Sequence, residues 1–525
     1  MRWTALLLAS CLHASAWCAQ PVRVAMAEWG TLNPLLLSGD ADSEAVDLLF
    51  DRLVTMDEKG RFIPELLESW DIREGGKLVI LRLRPGLTWH DGRPIEAEDV
   101  VFTWRSLRLP RVRKVADTVS GVADLDSLTA EGPLTVRIRL ARPRGSLLSD
   151  LFNFIPVPRH RYQVGAHPAT DAINFAPVGS GPYRLAGPAT KQAIRLQRWE
   201  GYRGIHPGRS EAFELLLQDP GGAILPALES ETYHYSETLS AHRLQFYLVR
   251  KGVRGKGLLQ TFFAPNHGFN AAFLNCSPAR SLLGDRALRQ ALAELVPWQE
   301  FARAQRFLPY PSHTSFWIPE SLTDHPTPRP LPQPARAEAI LEAAGWRRGP
   351  DGIRRDAAGR RLALVAYEAN GVRNARSEAR LMSTLARAAG IEIEVRSVPW
   401  EQLMPLATKG QGDMWFYGWI LSTDPDVDSP LFTRAGLQTR ANVSAYVNPE
   451  VDRLFERGRF TLDPEARKQI YLEISEILYR DRPFIPFHRR QTMVIAHRRL
   501  KGVAFGSLGQ SYGFWPGRRA WRLED

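Results

Sequence analysis

The sequence predicts an α/β fold divided into two or three domains. Three observations carry that expectation. The chain has 525 residues, more than a single hydrophobic core ordinarily organises. Strand-type and helix-type patterns alternate along it. The stretch 361–398 reads strand, helix, glycine, strand, which is a βαβ unit and implies parallel strands. The composition, 44% hydrophobic and 24% charged, is that of a globular protein.

The N-terminal MRWTALLLASCLHASAWCAQ reads as a secretory signal peptide, and residues 1–19 are set aside from the fold. Arg2 gives the positive start, residues 4–12 a short apolar run, and Ala14-Ser15-Ala16 small residues for a cleavage site. Cleavage after Ala19 is a second option, and LASC, ending at Cys11, offers a lipoprotein reading. Next, PVRVAMA (21–27) alternates as a strand. SEAVDLLFDRLV (43–54) has apolar residues at helical spacing, with Ser43 as N-cap. KLVILRLRPG (77–86) is a strand closed by a Pro-Gly turn. EAEDVVFTWRSL (96–107) opens acidic and continues apolar, as a helix start should. LTVRIRLARP (134–143) is another strand.

In the second half, PARAEAILEAAGW (334–346) is a helix stopped by Gly345. RLALVAY (361–367) is a strand, ARSEARLMSTLARAAG (375–390) a helix that ends on glycine, and IEIEVRSV (391–398) the strand after it. In DPEARKQIYLEISEILYRD (463–481), Asp463 caps, Pro464 takes the first helical position, and Ile470, Ile474 and Leu478 form the buried stripe. PTPRPLPQP (326–334) excludes regular structure and reads as a surface loop. GYRGIHPGRSE (201–211) is the other loop-rich stretch.

Past the signal peptide no run of 18 apolar residues occurs, so the mature chain is expected to be soluble. The cysteines are Cys11, Cys18 and Cys276, too few for a disulfide framework in an exported protein. The net charge is +11. It fits either an acidic ligand or anionic surface, or an Arg-rich solvated exterior, and scattered basic residues in an exported chain argue against nucleic acid. The sequence holds no G-x-S-x-G, H-E-x-x-H, C-x-x-C or P-loop. GKG (255–257) lacks the rest of a dinucleotide fingerprint, and His90-Asp91 reads as part of an Asp-Gly turn before it reads as half of a triad. DPDVD (424–428) lacks the glycine and closing glutamate of a calcium loop. A binding protein is expected rather than an enzyme, with no cofactor and no metal.

Several segments, in order, resemble the family 5 extracellular solute-binding proteins, the peptide and nickel receptors of ABC importers. They are TLNPLL (31–36), LLFDRLVTMDEKGRFIPELLESWDI (48–72), LRLRPGLTWHDGRPIEAEDVVFTW (81–104), PVGSGPYRL (177–185), AILEAAGW (339–346) and AGIEIEV (389–395). The resemblance spans about residues 21–520. It implies a type II periplasmic binding protein fold with two lobes and an extra domain on the first. By resemblance, domain I comprises 20–46, 178–270 and 490–525, domain II 47–177, and domain III 271–489. It also implies a monomeric periplasmic receptor for a peptide or other small solute, handed to ABC permease subunits. A non-peptide ligand (an oligosaccharide, opine or metal chelate) is the alternative, and an exported hydrolase a remoter one.

The resemblance locates the ligand between domains I and III and directs attention to GWILSTDPDVD (418–428). Peptide binders commonly read Gly-Trp-x-x-Asp-x-x-Asp-Pro here, and the first Asp holds the peptide ammonium by a charge-assisted bond. In this chain Ser422 stands at that position and Asp424-Pro425 comes one residue early. Ser422 and Thr423 offer hydroxyls without charge. Either Asp424 or Asp426 anchors an ammonium instead, or the Asp424-Pro425 step only shapes a turn. Trp419, with Tyr417 beside it, is either an apolar wall of the cleft or a core residue. Arg376, with Arg373, stands at the head of a helix and either pairs a ligand carboxylate or is solvated. Trp29 and Asn33 from the first cleft segment, and Asn270 at the crossover between lobes, complete the candidate set.

Overall fold

The computed structural model describes residues 20–37, 39–109, 112, 125–162, 172–219, 223–237, 257–296, 332–370, 373–422, 424–506 and 510–525. The signal-peptide reading and most of the proline-rich stretch lie outside these residues. No described helix is long and apolar enough to cross a membrane.

Local chemistry sets most of the expected elements. Asp463 accepts from Ala466 N at 2.8 Å and Pro464 opens the helix Pro464–Asp481. Its Ile470, Ile474 and Leu478 are buried. Burying each such side chain stabilises the fold by about 1.5–3 kcal/mol. The helix Ala97–Leu107 starts with a reciprocal capping box between Glu96 and Asp99. One start differs from expectation. Ser43 is not an N-cap: the helix runs Asp40–Leu49, opened by the extended backbone of Gly39 and by Asp40 and Asp42 in its first turn. Ser43 Oγ instead donates back to Gly39 O at 3.2 Å. The helix stops at Leu49 because Phe50 turns extended, so residues 50–54 are not helical.

A ten-stranded sheet forms the frame. From one edge its order is Glu392–Val398, Ala363–Ala369, Met414–Ile420, Leu259–Leu274, Phe484–His497, Tyr235–Ser236, Val22–Met26, Ala212–Leu217, Ala193–Arg198 and Tyr183–Leu185. The expected βαβ unit is present: Ala363–Ala369 and Glu392–Val398 pair in parallel across the helix Arg373–Ala388. Two long antiparallel strands, Leu259–Leu274 and Phe484–His497, run through the middle. Their register breaks between Pro265 and Phe269 and again between Asn270 and Ala271, which bends the ribbon there.

The apolar cores divide at this ribbon. One core joins Val22, Phe213 and Leu215 of the large sheet to Val79, Leu81 and Val136 of a second, four-stranded sheet. The first half of the frame and that smaller sheet therefore form one body. On the other side of the ribbon two cores cover the two faces of the sheet. Met414 and Phe416 pack with Leu364 and Leu341 on one face. Trp415 and Tyr417 pack with Leu454, Tyr471 and Ile474 on the other.

His90 belongs to the first body. It donates through Nε2 to Gly181 O at 3.0 Å and accepts at Nδ1 from Gly179 N at 3.1 Å. Burial lowers its pKa to about 4, so the neutral ring clasps the 177–185 loop. Gly179 is required there: a Cβ would lie 1.9 Å from Leu49 O. Asp91 turns instead to His160 at 2.6 Å.

Candidate functional site

The strand Met414–Ile420 sends alternate side chains to opposite faces. Trp415, Tyr417 and Trp419 share the face packed against the helices Pro449–Phe460 and Pro464–Asp481. The Tyr417 ring stacks on Phe273 at 4.1 Å, with Trp400 edge-on at 6.4 Å. Trp400 is 46% exposed. The Tyr417 hydroxyl is buried without a hydrogen-bond partner, and burial raises its pKa. Trp419 is half-buried at the end of this row.

The chain then enters a loop of overlapping turns, with Val427 N bonded to Asp424 O and Asp428 N to Pro425 O, each at 3.1 Å. Its three aspartates are all buried but differently matched. Both oxygens of Asp424 accept from Arg467, at 2.6 and 2.7 Å. This is the two-pronged guanidinium–carboxylate geometry. Asp424 Oδ1 also accepts from Asp426 N at 2.9 Å, closing an aspartate turn. Asp426 receives Arg459 Nε at 3.1 and 2.9 Å, with Arg144 at 4.0 Å. Burial raises its pKa and Arg459 opposes the shift.

Among the described residues Asp428 has no cationic partner. Its oxygens accept from Ser422 N at 2.8 Å and Ser422 Oγ at 3.5 Å. Burial raises its pKa to about 7, against the opposing effects of Ser422 and the Trp419 indole. A carboxylate so placed holds a proton, or becomes an anion when a cation arrives.

The remaining sequence-derived candidates fall in other places. Trp29 is 2% exposed in the core of the first body. It meets Phe175 edge-on at 5.8 Å, and Lys191 Nζ lies 4.8 Å over its ring. Asn33 caps a short turn through Leu35 N at 3.0 Å and donates to Asn174 Oδ1 at 3.0 Å. Asn270 lies at the register break of the ribbon and donates to Glu378 Oε1 at 3.3 Å. Thr423 and the Arg376 side chain lie outside the described residues. Tyr417, Trp419, Ser422 and Asp424 thus follow one another along one strand and loop, whereas Trp29 and Asn33 belong to the other body. Sequence reasoning passed over Asp428 as a group of its own, although it stands in the quoted string. It also missed Trp400, whose signal was a large aromatic opening the helix Trp400–Thr408 after Pro399. Arg459 and Arg467 carried no local signal.

Comparison with known proteins gives one consistent result. The family model for bacterial extracellular solute-binding proteins, family 5 (middle region), matches residues 61–439. The chain is 27% identical to Protein XP55 of Streptomyces lividans, over 88% of this chain and 82% of that protein. It is 23% identical to the di/tripeptide-binding protein 4 of Pseudomonas aeruginosa (strain UCBPP-PA14), over 90% of each. Its fold is similar to that of NikZ from Campylobacter jejuni, solved in complex with Ni(L-His). The TM-score is 0.78 at 21% identity, covering 95% of this chain and 99% of that one.

Proposed function

The chain belongs to the bacterial extracellular solute-binding proteins of family 5, and from that premise we propose that it is the periplasmic receptor of an ABC importer for peptides or peptide-like solutes. The signal peptide is removed on export, and the receptor works as a monomer that delivers its solute to inner-membrane permease subunits. The two bodies close on the solute by bending at the ribbon, where the register breaks at 265–271 lie. In this reading domain I (20–46, 178–270, 490–525) carries domain II (47–177) and faces domain III (271–489).

The observation that carries the peptide reading is Asp428. It is a buried carboxylate with no counter-charge among the described residues, beside Ser422 and Trp419. Asp424 is a poor ammonium anchor, because Arg467 holds both its oxygens. Asp428 is the carboxylate left to receive a cationic end. Trp419 and Trp400 offer flat apolar surface to side chains of varied shape. A second reading, a non-peptide such as a metal chelate, draws on Ser422 standing where the charged anchor of peptide binders stands. The relatives point to peptides: one is named a di/tripeptide-binding protein, whereas NikZ holds Ni(L-His).

Native mass spectrometry of the receptor purified from its source is the test, followed by calorimetry of the recovered solute. A peptide should bind with its free amine, weaken on N-acetylation, and weaken equally on Asp428→Asn. Equal affinity of free and acetylated peptide for both proteins would refute the cationic anchor. A recovered sugar or chelate would replace the peptide reading.

A further inference from the structure

The two bodies meet a second time, through elements that belong to neither strand of the ribbon. The segment Arg142–Ser146 of the first body, between the strand Thr135–Leu140 and the helix Leu147–Asn153, lies against residues 456–467 of the second. Gly145 N donates to Arg459 O at 2.8 Å. The fit leaves no room for a side chain, since a Cβ on Gly145 would come within 2.4 Å of Thr461 O and 2.6 Å of Arg467 Nε. Arg142 pairs with Glu456 at 3.2 Å and lies 3.8 Å over the Phe460 ring. Leu462 meets the turn at Gly76, where a Cβ would fall 2.4 Å from its Cδ1.

The buried end of this contact leads directly to the aspartate loop. Arg144, 3% exposed, donates to Asp150 at 2.7 Å and reaches Asp426 at 4.0 Å. Arg459 binds Asp426 through Nε and Ser429 Oγ through Nη2 at 3.2 Å. Arg467 binds Asp424 and donates to Gly458 O at 3.0 Å. The same short stretch therefore touches the opposite body with its backbone and fixes the loop with its side chains. Apart from Leu462, the contact consists of ion pairs, a guanidinium over the Phe460 ring and a backbone hydrogen bond. Such groups can be rewetted, which suits an interface that opens and closes better than an apolar one would.

We propose that Arg142–Ser146 is a latch that holds residues 456–467 in a closed arrangement the chain favours even before solute binds, and that Arg144, Arg459 and Arg467 are positioning residues that couple the latch to the 424–428 loop. This rests on the hinged-receptor reading but not on the identity of the solute. When the latch opens, Asp426 loses Arg144 and the loop next to Trp419 and Ser422 loosens. Solute affinity and closure then share one element.

The test uses the unliganded chain, so it stands whether or not the solute proves to be a peptide. Three proteins are compared with the unmodified chain: Gly145→Val, Arg144→Gln and Arg144→Lys. Small-angle scattering gives the radius, and hydrogen exchange is read over 424–429 and 459–467. Gly145→Val and Arg144→Gln should enlarge the radius and speed exchange in those segments by about tenfold or more. Arg144→Lys, which keeps the charge facing Asp426, should retain the compact radius and slow exchange, a rescue that a merely structural arginine would not show. Should Gly145→Val fail to fold, Arg144→Gln and its rescue decide alone. An unchanged radius and exchange in Arg144→Gln, or an Arg144→Lys chain as expanded as Arg144→Gln, would overturn the latch.

Discussion

Two buried clusters of carboxylates, one in each body, solve the same electrostatic problem differently. In the first, Arg519 lies between Asp51 at 2.9 Å and Glu65 at 2.8 Å, and also donates to Asp47 O at 3.1 Å. Two acids share one guanidinium, and burial raises both pKa values, that of Glu65 to about 8. The missing positive charge is made good inside the cluster by a retained proton. In the second, Asp424 and Asp426 each face an arginine of their own, Arg467 and Arg459, and Asp428 faces none among the described residues. The missing charge is concentrated on one carboxylate at the end of an aromatic strand. A shared shortage ties a fold together, here the C-terminal segment to residues 47–65. An isolated shortage beside a half-exposed tryptophan is a place for something to bind.

The comparison breaks most severely at Arg519. Arg519→Met should leave two buried acids without their cation and destabilise the first body by about 3–5 kcal/mol. Chemical denaturation measures this, and a loss under about 1 kcal/mol would mean that the cluster is mainly protonated and indifferent to the arginine. The second cluster should respond less. Asp424→Asn keeps the turn but gives up the paired charge, at a cost of about 1.5–3 kcal/mol of stability. The ratio of affinities for free and acetylated peptide should stay as it was. A changed ratio would return Asp424 to the role of ammonium anchor.

Trp419→Ala comes next. A half-buried wall residue should affect affinity, by about 1–3 kcal/mol in calorimetry, more than it affects melting temperature. The reverse pattern would make Trp419 a core residue like Trp415, which is fully buried on the same strand.

Legibility followed the range of the determining interaction. The helix Pro464–Asp481 was written locally, in a cap, a proline and a stripe. The helix start near Ser43 was misplaced because Gly39 and Asp40, outside the apolar pattern, set it. His90 read as part of a turn, but its clasp on Gly179 depends on a residue 89 positions away. The string 418–428 stood out by composition. Whether Asp424 or Asp428 lacks a cation could not be read there, because the deciding arginines lie 33 and 43 residues further on. The contact of the first body with this loop, through Arg144, has no sequence signature at all.

The smallest expected effect is the most diagnostic, because it has a sign. The folded carboxyl of Asp428 titrates near 7, above the ordinary range, through burial. Between about pH 4 and 7 the folded chain therefore holds a proton that the unfolded chain has released. Its contribution to stability is complete below about pH 4, is lost as pH rises through 7, and is flat above. A cationic solute has the opposite preference, since it needs the carboxylate. Its affinity should rise with pH up to about 7, by at most tenfold per unit, and then level off until an α-amine itself deprotonates near 8. Asp428→Asn should abolish this slope between pH 5 and 7, and an acetylated peptide should not show it. Calorimetry at three pH values separates the cases. A slope that survives in Asp428→Asn would assign the titration to another group, and the uncompensated aspartate would then be no more than a buried acid of the loop.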